Sequence, residues 1–314
     1  MGYIAITSDK QIEIEKISDC IVLGSTIIPG CSANYVFFEL EGMLPEADSG
    51  PNFKISIYVP GKISILKQGS NVTNNPNFSE WYYSQKAMVR KQGGILNLNG
   101  IDTMLLTPCL ESSYNKHNNV TEIILGFLSD QARRDQCTRW MACFTFETSH
   151  NLSKTFGTVT IQSRYYDRKE CPYGDFFENT VLSGVILSPK SIYCWMIAKP
   201  GCYLANYTNF GLTQPRDIRI IEPAYIEILS NKPWYKRCLL KAACWILGYP
   251  QVINWRLDKN LITFRDSYRE HKKWDEIRLF ATFKGFELSS VFIALSAIAS
   301  LLGFIFYVIE KLPK

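Results

Sequence analysis

Apolar and polar residues alternate along most of the chain from Tyr3 to about Leu229, and a period of two is the signature of strands. QIEIE at 11–15, YVFFELE at 35–41, FKISIYV at 53–59 and KISIL at 62–66 predict strands rich in β-branched and aromatic residues. TEIILGF at 121–127, ACFTFET at 142–148 and GTVTIQS at 157–163 predict three more. VLSGVIL at 181–187, SIYCWMIA at 191–198 and DIRIIEPAYIEIL at 217–229 continue the series. Leu44-Pro45, Pro60-Gly61, Gly93-Gly94 and Pro200-Gly201 supply turns between them, Gly93-Gly94 as a hairpin turn. Many short strands at this spacing predict a mainly β fold, sandwich- or barrel-like. The other arrangement is two small β-domains meeting near the polar loop ESSYNKHNN at 111–119.

The pattern changes after Ser230. Asn231-Lys232-Pro233 starts a helix, with Asn as cap and Pro in the first turn, and Gly248 followed by Pro250 stops it. On its wheel Lys236, Arg237 and Lys241 share one sector, while Tyr235, Leu239, Ala242 and Ile246 lie opposite. Basic, amphipathic and bearing Trp234 and Trp245, this helix suits a bilayer interface. It suits equally a place on the β-domain with its basic face in water. A capping box at Ser267 to Glu270 predicts a second helix over 267–287, packed through Trp274, Ile277 and Ala281.

Then comes the longest apolar stretch. Leu288 to Ile309 reads LSSVFIALSAIASLLGFIFYVI, twenty-two residues without a charge or a proline. At about 1.5 Å per residue a helix of this length crosses the roughly 30 Å hydrocarbon layer. The chain therefore divides into a β-rich domain (1–230), a helical juxtamembrane region (231–285), a single C-terminal transmembrane helix (286–309) and a short tail (310–314). Ser289, Ser296 and Gly303 recur every seven residues of the span, and Ser296/Ser300 and Ala299/Gly303 are small-x-x-x-small pairs. Small residues let another helix backbone approach closely in lipid, so these five positions are candidates for helix packing. The partners implied are the bilayer and other transmembrane helices of a membrane complex.

Composition adds little against this frame. An apolar fraction of 46% and a charged fraction of 20% are those of a folded globular protein. A net charge of +5 is too small to argue for nucleic acid, and no nucleic-acid partner is expected. The cations at Arg133, Arg134, Arg139 and 164–169 read as solvated faces, as do Glu13 and Glu15, which share one side of a strand.

Topology draws two readings. Five Lys and Arg lie in residues 267–287 and two in the tail, and no signal peptide is visible at the N-terminus. Both features fit a tail-anchored protein with its β-domain on the cytoplasmic or organellar side. Ten cysteines and the sequons at Asn71, Asn77, Asn119, Asn151 and Asn206 fit instead an exported, disulfide-bonded glycoprotein for attachment, receptor binding or fusion. Cys137/Cys143 and Cys194/Cys202 are near neighbours and candidate disulfides.

Catalytic chemistry leaves no motif. There is no C-x-x-C, no phosphate-binding loop and no spacing that joins His117, His150 or His271 to a nucleophile. No metal or cofactor is expected. The leading expectation is a non-catalytic, single-pass membrane-anchored binding or structural subunit, with the exported glycoprotein and a membrane-bound enzyme of unrecognised site as alternatives.

Overall fold

A computed structural model describes residues 2–23, 34–44, 52–68, 88–91, 95–98, 100–106, 109–127, 137–148, 152–155, 158–166, 184–198, 201–208, 216–217, 251–258 and 276–285. Positions 233–235, 238, 242, 296, 299–300 and 302–304 are also described. The strands begin with β1 (Gly2–Tyr3), β2 (Ala5–Ser8), β3 (Glu13–Val22), β4 (Asn34–Met43), β5 (Phe53–Pro60), β6 (Ile63–Gln68) and β7 (Met88–Lys91). Next come β8 (Ile95–Leu98), β9 (Ile101–Leu106), β10 (Cys109–Asn115), β11 (Val120–Phe127), β12 (Arg139–Thr148), β13 (Leu152–Thr155) and β14 (Thr158–Tyr166). The series closes with β15 (Val185–Ile186), β16 (Ser191–Ile197), β17 (Tyr203–Tyr207), β18 (Arg216–Asp217), β19 (Gln251–Asp258) and β20 (Glu276–Lys284).

These strands form three sheets. The largest has ten strands in the order β18-β19-β16-β3-β4-β12-β9-β8-β7, with β6 also paired to β12. A second runs β1-β14-β20-β17, with β13 on β14, and a third runs β10-β11-β5-β2-β15. The architecture is mainly β and consistent with a sandwich, as the alternating pattern predicts.

Register explains the core. Across the large sheet, one face carries the row Leu257, Ile192, Ile17, Leu40 and Ala142. A parallel row carries Ile253, Met196, Ile21, Val36 and Phe146. Facing them are Ile161, Leu279, Ala281 and Phe283 of the second sheet and Ile6, Ile55, Ile57 and Leu125 of the third. All are buried in a single cluster that extends from Tyr3 to Phe283. Phe53 of β5 meets the Trp140 ring of β12 at 5.6 Å between centroids, which joins the third sheet to the first. Burial of each such large side chain stabilises the fold by about 1.5–3 kcal/mol. Among the described residues these side chains belong to one core cluster.

Three expectations change. The loop expected at 111–119 is instead the end of β10 and the turn 116–119 of a hairpin with β11. Glu111 to Asn115 are exposed on an edge strand, where no apolar partner is required and the alternation disappears. The helix expected over 267–287 is also revised, because residues 276–284 form β20, paired with β14 and β17. Leu279, Ala281 and Phe283 are fully buried while Phe280 and Thr282 are half-buried, a period of two in place of the helical spacing of Ile277 and Ala281. Likewise β19 lies in the segment 231–285, which was expected to be helical. Among its described residues, only 234–235, 238 and 242 are in helix. Of the long strand expected at 217–229 only Asp217, the end of β18, is described; of 181–187 residues 184–187 are described, and Val185–Ile186 form β15.

Candidate functional site

Asp19 stands in the middle of the core face, in a row with Trp255, Cys194, Phe38 and Phe144. It is fully buried, so its carboxylate must find partners inside the protein. It accepts hydrogen bonds from the Gly2 backbone N–H at 3.0 Å, the Ser163 hydroxyl at 3.1 Å and the Tyr165 hydroxyl. These donors come from β1 and β14, so the cluster ties the second sheet to the first. Gly2 is required there. It has φ +76°, and an added Cβ would lie 1.8 Å from the Arg164 carbonyl oxygen. Burial, then the Asp19 charge, pushes the Tyr165 hydroxyl and the Cys194 and Cys20 thiols well above their usual pKa values. Burial thus disfavours the thiolate, the reactive form, at both cysteines.

The other face of the large sheet carries a charged strip. Lys16 bonds to Glu39 at 2.9 Å and approaches Glu41 at 3.9 Å. Arg139 bridges Glu15 at 3.1 Å and Glu41 at 3.7 Å, and Lys190 pairs with Glu13 and Glu15. Tyr193 extends the strip, with Lys16 5.0 Å and Arg256 5.4 Å from its ring centre. Burial opposes the Lys16 charge, but Glu39 and Glu41 outweigh it and raise its pKa. The strip joins β12, β4 and β3 to Lys190, the residue before β16, by opposite charges, and what this arrangement does chemically is hold register. Glu13 and Glu15 share a side as expected, and they meet cations there. A separate pair lies on the third sheet, where Tyr58 donates to Glu122 at 3.0 Å. Burial and that carboxylate push its hydroxyl up to about 12.

The residues singled out in the sequence fall elsewhere. Ser296, Ala299, Ser300 and Gly303 are helical and exposed, and an added Cβ at Gly303 meets nothing within 4 Å. Ser289 lies outside the described residues. No helix among the described residues is long and apolar enough to cross a membrane. Trp234 is helical and 71% exposed, whereas Lys236, Arg237, Lys241 and Trp245 lie outside the described residues. Asn119 is exposed in the β10–β11 turn with φ 51°, and its side chain accepts a hydrogen bond from Tyr114. Asn206 is exposed on β17, and Asn71, Asn77 and Asn151 are not described.

Neither candidate disulfide is formed: Cys137, Cys143, Cys194 and Cys202 are buried thiols. Arg139 to Cys143 is extended strand, about 13 Å long, beyond the roughly 7 Å between Cα atoms that a disulfide spans. Cys143 turns instead to Glu39, with Sγ 3.9 Å from Oε2, and Cys194 pairs in register with Asp19. His117 is exposed in a turn, and no group of three His, Cys, Asp or Glu among the described residues is arranged to hold a metal. Sequence reasoning missed the Asp19 cluster. Its one local signal is an acid set between Ile17 and Ile21 at their parity; the bulge between Ile14 and Lys16, which moves Glu13 and Glu15 to the other face, has no local signal.

Neither a family model nor a curated protein matches the chain. Among solved structures, the crystal structure of baculovirus P35 aligns over 88% of this chain and 98% of its own, at 5% identity and a TM-score of 0.25. A likeness that slight carries no argument.

Proposed function

We propose that this chain is a non-catalytic binding or structural subunit, fastened to a membrane by its C-terminal apolar run. The observation that carries the reading is the position of that run. It follows β20 after only Gly285, Phe286 and Glu287, once the body has closed its core, and its described positions are helical and exposed. An uncharged run whose described positions are exposed has its natural solvent in a bilayer. The body lies on the cytoplasmic or organellar side, where cysteines persist as thiols. Asn119 and Asn206 are exposed and support the exported-glycoprotein alternative, but the thiols weigh against it.

Subunit character rests on the small face of the span. At 100° per residue Ser296, Ala299, Ser300 and Gly303 occupy one side of a helix, open to a neighbouring backbone. The triple variant S296L/S300L/G303L remains in the membrane but loses cross-linked adducts in native membranes by about tenfold, as expected for a contact worth about 1–2 kcal/mol. An unchanged adduct pattern sinks the subunit reading.

A further inference from the structure

Among the described residues β10 is the longest strand that ends a sheet. It has seven residues, against five in β17, four in β7 and two in each of β1, β15 and β18. A bulge between Leu204 and Asn206 interrupts β17, whereas β10 keeps unbroken register with β11 from Cys109 to Asn115. Prolines, lysines and bulges ordinarily blunt such an edge, and β10 has none of them.

Register shows which backbone groups this edge presents. The Gly61 N–H donates to the Asn119 carbonyl at 2.7 Å, so Asn119, Thr121, Ile123 and Leu125 turn their backbone groups to β5. Those of Val120, Glu122, Ile124 and Gly126 then face β10 and bond Asn115, Ser113, Glu111 and Cys109. The N–H and C=O of Leu110, Ser112 and Tyr114 therefore point away from the sheet, and no strand among the described residues pairs there. Ser112 and Tyr114 are exposed. Tyr114 is already held in place, with its hydroxyl on Asn119 Oδ1 at 2.9 Å and Lys62 Nζ 5.9 Å from its ring centre.

We propose that β10 pairs antiparallel with the β10 of a second copy of this chain, about a twofold axis at Ser112. The strand complements itself in that register. Ser112 meets its own counterpart, Leu110 meets the counterpart of Tyr114, and Glu111 meets that of Ser113. The outward groups of Leu110, Ser112 and Tyr114 all find partners, and two five-stranded sheets become one. An axis at Glu111 would oppose two carboxylates, and one at Ser113 would set Leu110 against Lys116 of the turn. The inference concerns the β-rich body alone and stands apart from the anchor reading.

A cross-linking experiment on the full chain, purified in detergent and mildly oxidised, tests the axis. Linked peptides are identified by mass spectrometry. Ser112→Cys sets two thiols on the axis with Cα atoms about 5.5 Å apart, within reach of a disulfide. Ser113→Cys, one exposed residue further on, leaves them about 8 Å apart, which is too far. The link between copies is expected to form at least about tenfold faster at position 112 than at 113. Native Cys109 falls opposite Asn115 and is expected to give no link to its own counterpart. Adding Tyr114→Pro to Ser112→Cys removes an outward N–H and none that bonds β11, so the link slows at least about tenfold in a chain that still unfolds cooperatively. Equal linking at 112 and 113 overturns the proposal, whether or not the proline variant folds. A link that survives Tyr114→Pro in a folded chain does the same, as does a thiol at 112 that joins only another protein in native membranes.

Discussion

Asparagine at Leu279, Ala281 or Phe283 is expected to cost about 3–5 kcal/mol each, a large share of the roughly 5–15 kcal/mol of an ordinary folded body. The same residue at Phe280, Thr282 or Lys284 is expected to cost about 1 kcal/mol or less. The first three are fully buried in the core cluster, where an amide side chain must be desolvated and finds no room. The second three alternate with them on the outer side of β20, where Thr282 shares a 3.0 Å hydrogen bond with Thr160. Urea unfolding of the detergent-solubilised full chain, followed by tryptophan fluorescence, checks this. A sensitivity that recurred every three to four positions, at 277, 281 and 284, would restore the helix and remove β20.

Removing the Asp19 carboxylate has an effect of similar size. Asp19→Ala strands the Gly2 amide and the Ser163 and Tyr165 hydroxyls in a dry interface, with an expected loss of about 3–5 kcal/mol. Tyr165→Phe removes one donor and leaves two, so about 1–2 kcal/mol is expected. Asp19→Asn lies between them, because its amide meets three donors with one acceptor oxygen and two donors of its own. Combining Asp19→Ala with Tyr165→Phe costs less than the sum, by about 0.5–3 kcal/mol, since both act on one network. Strictly additive losses would show that the carboxylate and the hydroxyl do not work together.

Much of the body is legible along the chain. YVFFELE, FKISIYV and ACFTFET each show one buried side and lie within β4, β5 and β12. Two kinds of information escape a local reading. Pairing is long-range: nothing near Lys16 announces that it stands beside Ser191, so the rows that enclose Asp19 appear only when β16 and β4 flank β3. Ambiguous periods are the other. EIRLFATFK satisfies both a strand, through Leu279, Ala281 and Phe283, and a helix, through Ile277 and Ala281, and the capping box before it tilts the reading to helix. The β-branched and aromatic content of that segment favours the strand. The edge strand β10 gives no pattern because its residues from Glu111 to Asn115 face water. Cysteine spacing fails for a related reason, since six residues apart is near in a loop and far along a strand.

The correction at β20 sharpens the functional account. A helical stalk would have held the body away from the membrane; a strand that closes the core at Lys284 brings the body to within a few residues of the apolar run. The most direct measurement is alkaline carbonate extraction of membranes carrying either the full chain or a chain ending at Gly285. The account predicts that the full chain stays in the pellet, while the shortened chain appears in the supernatant and still unfolds cooperatively. A full chain recovered in the supernatant would contradict it.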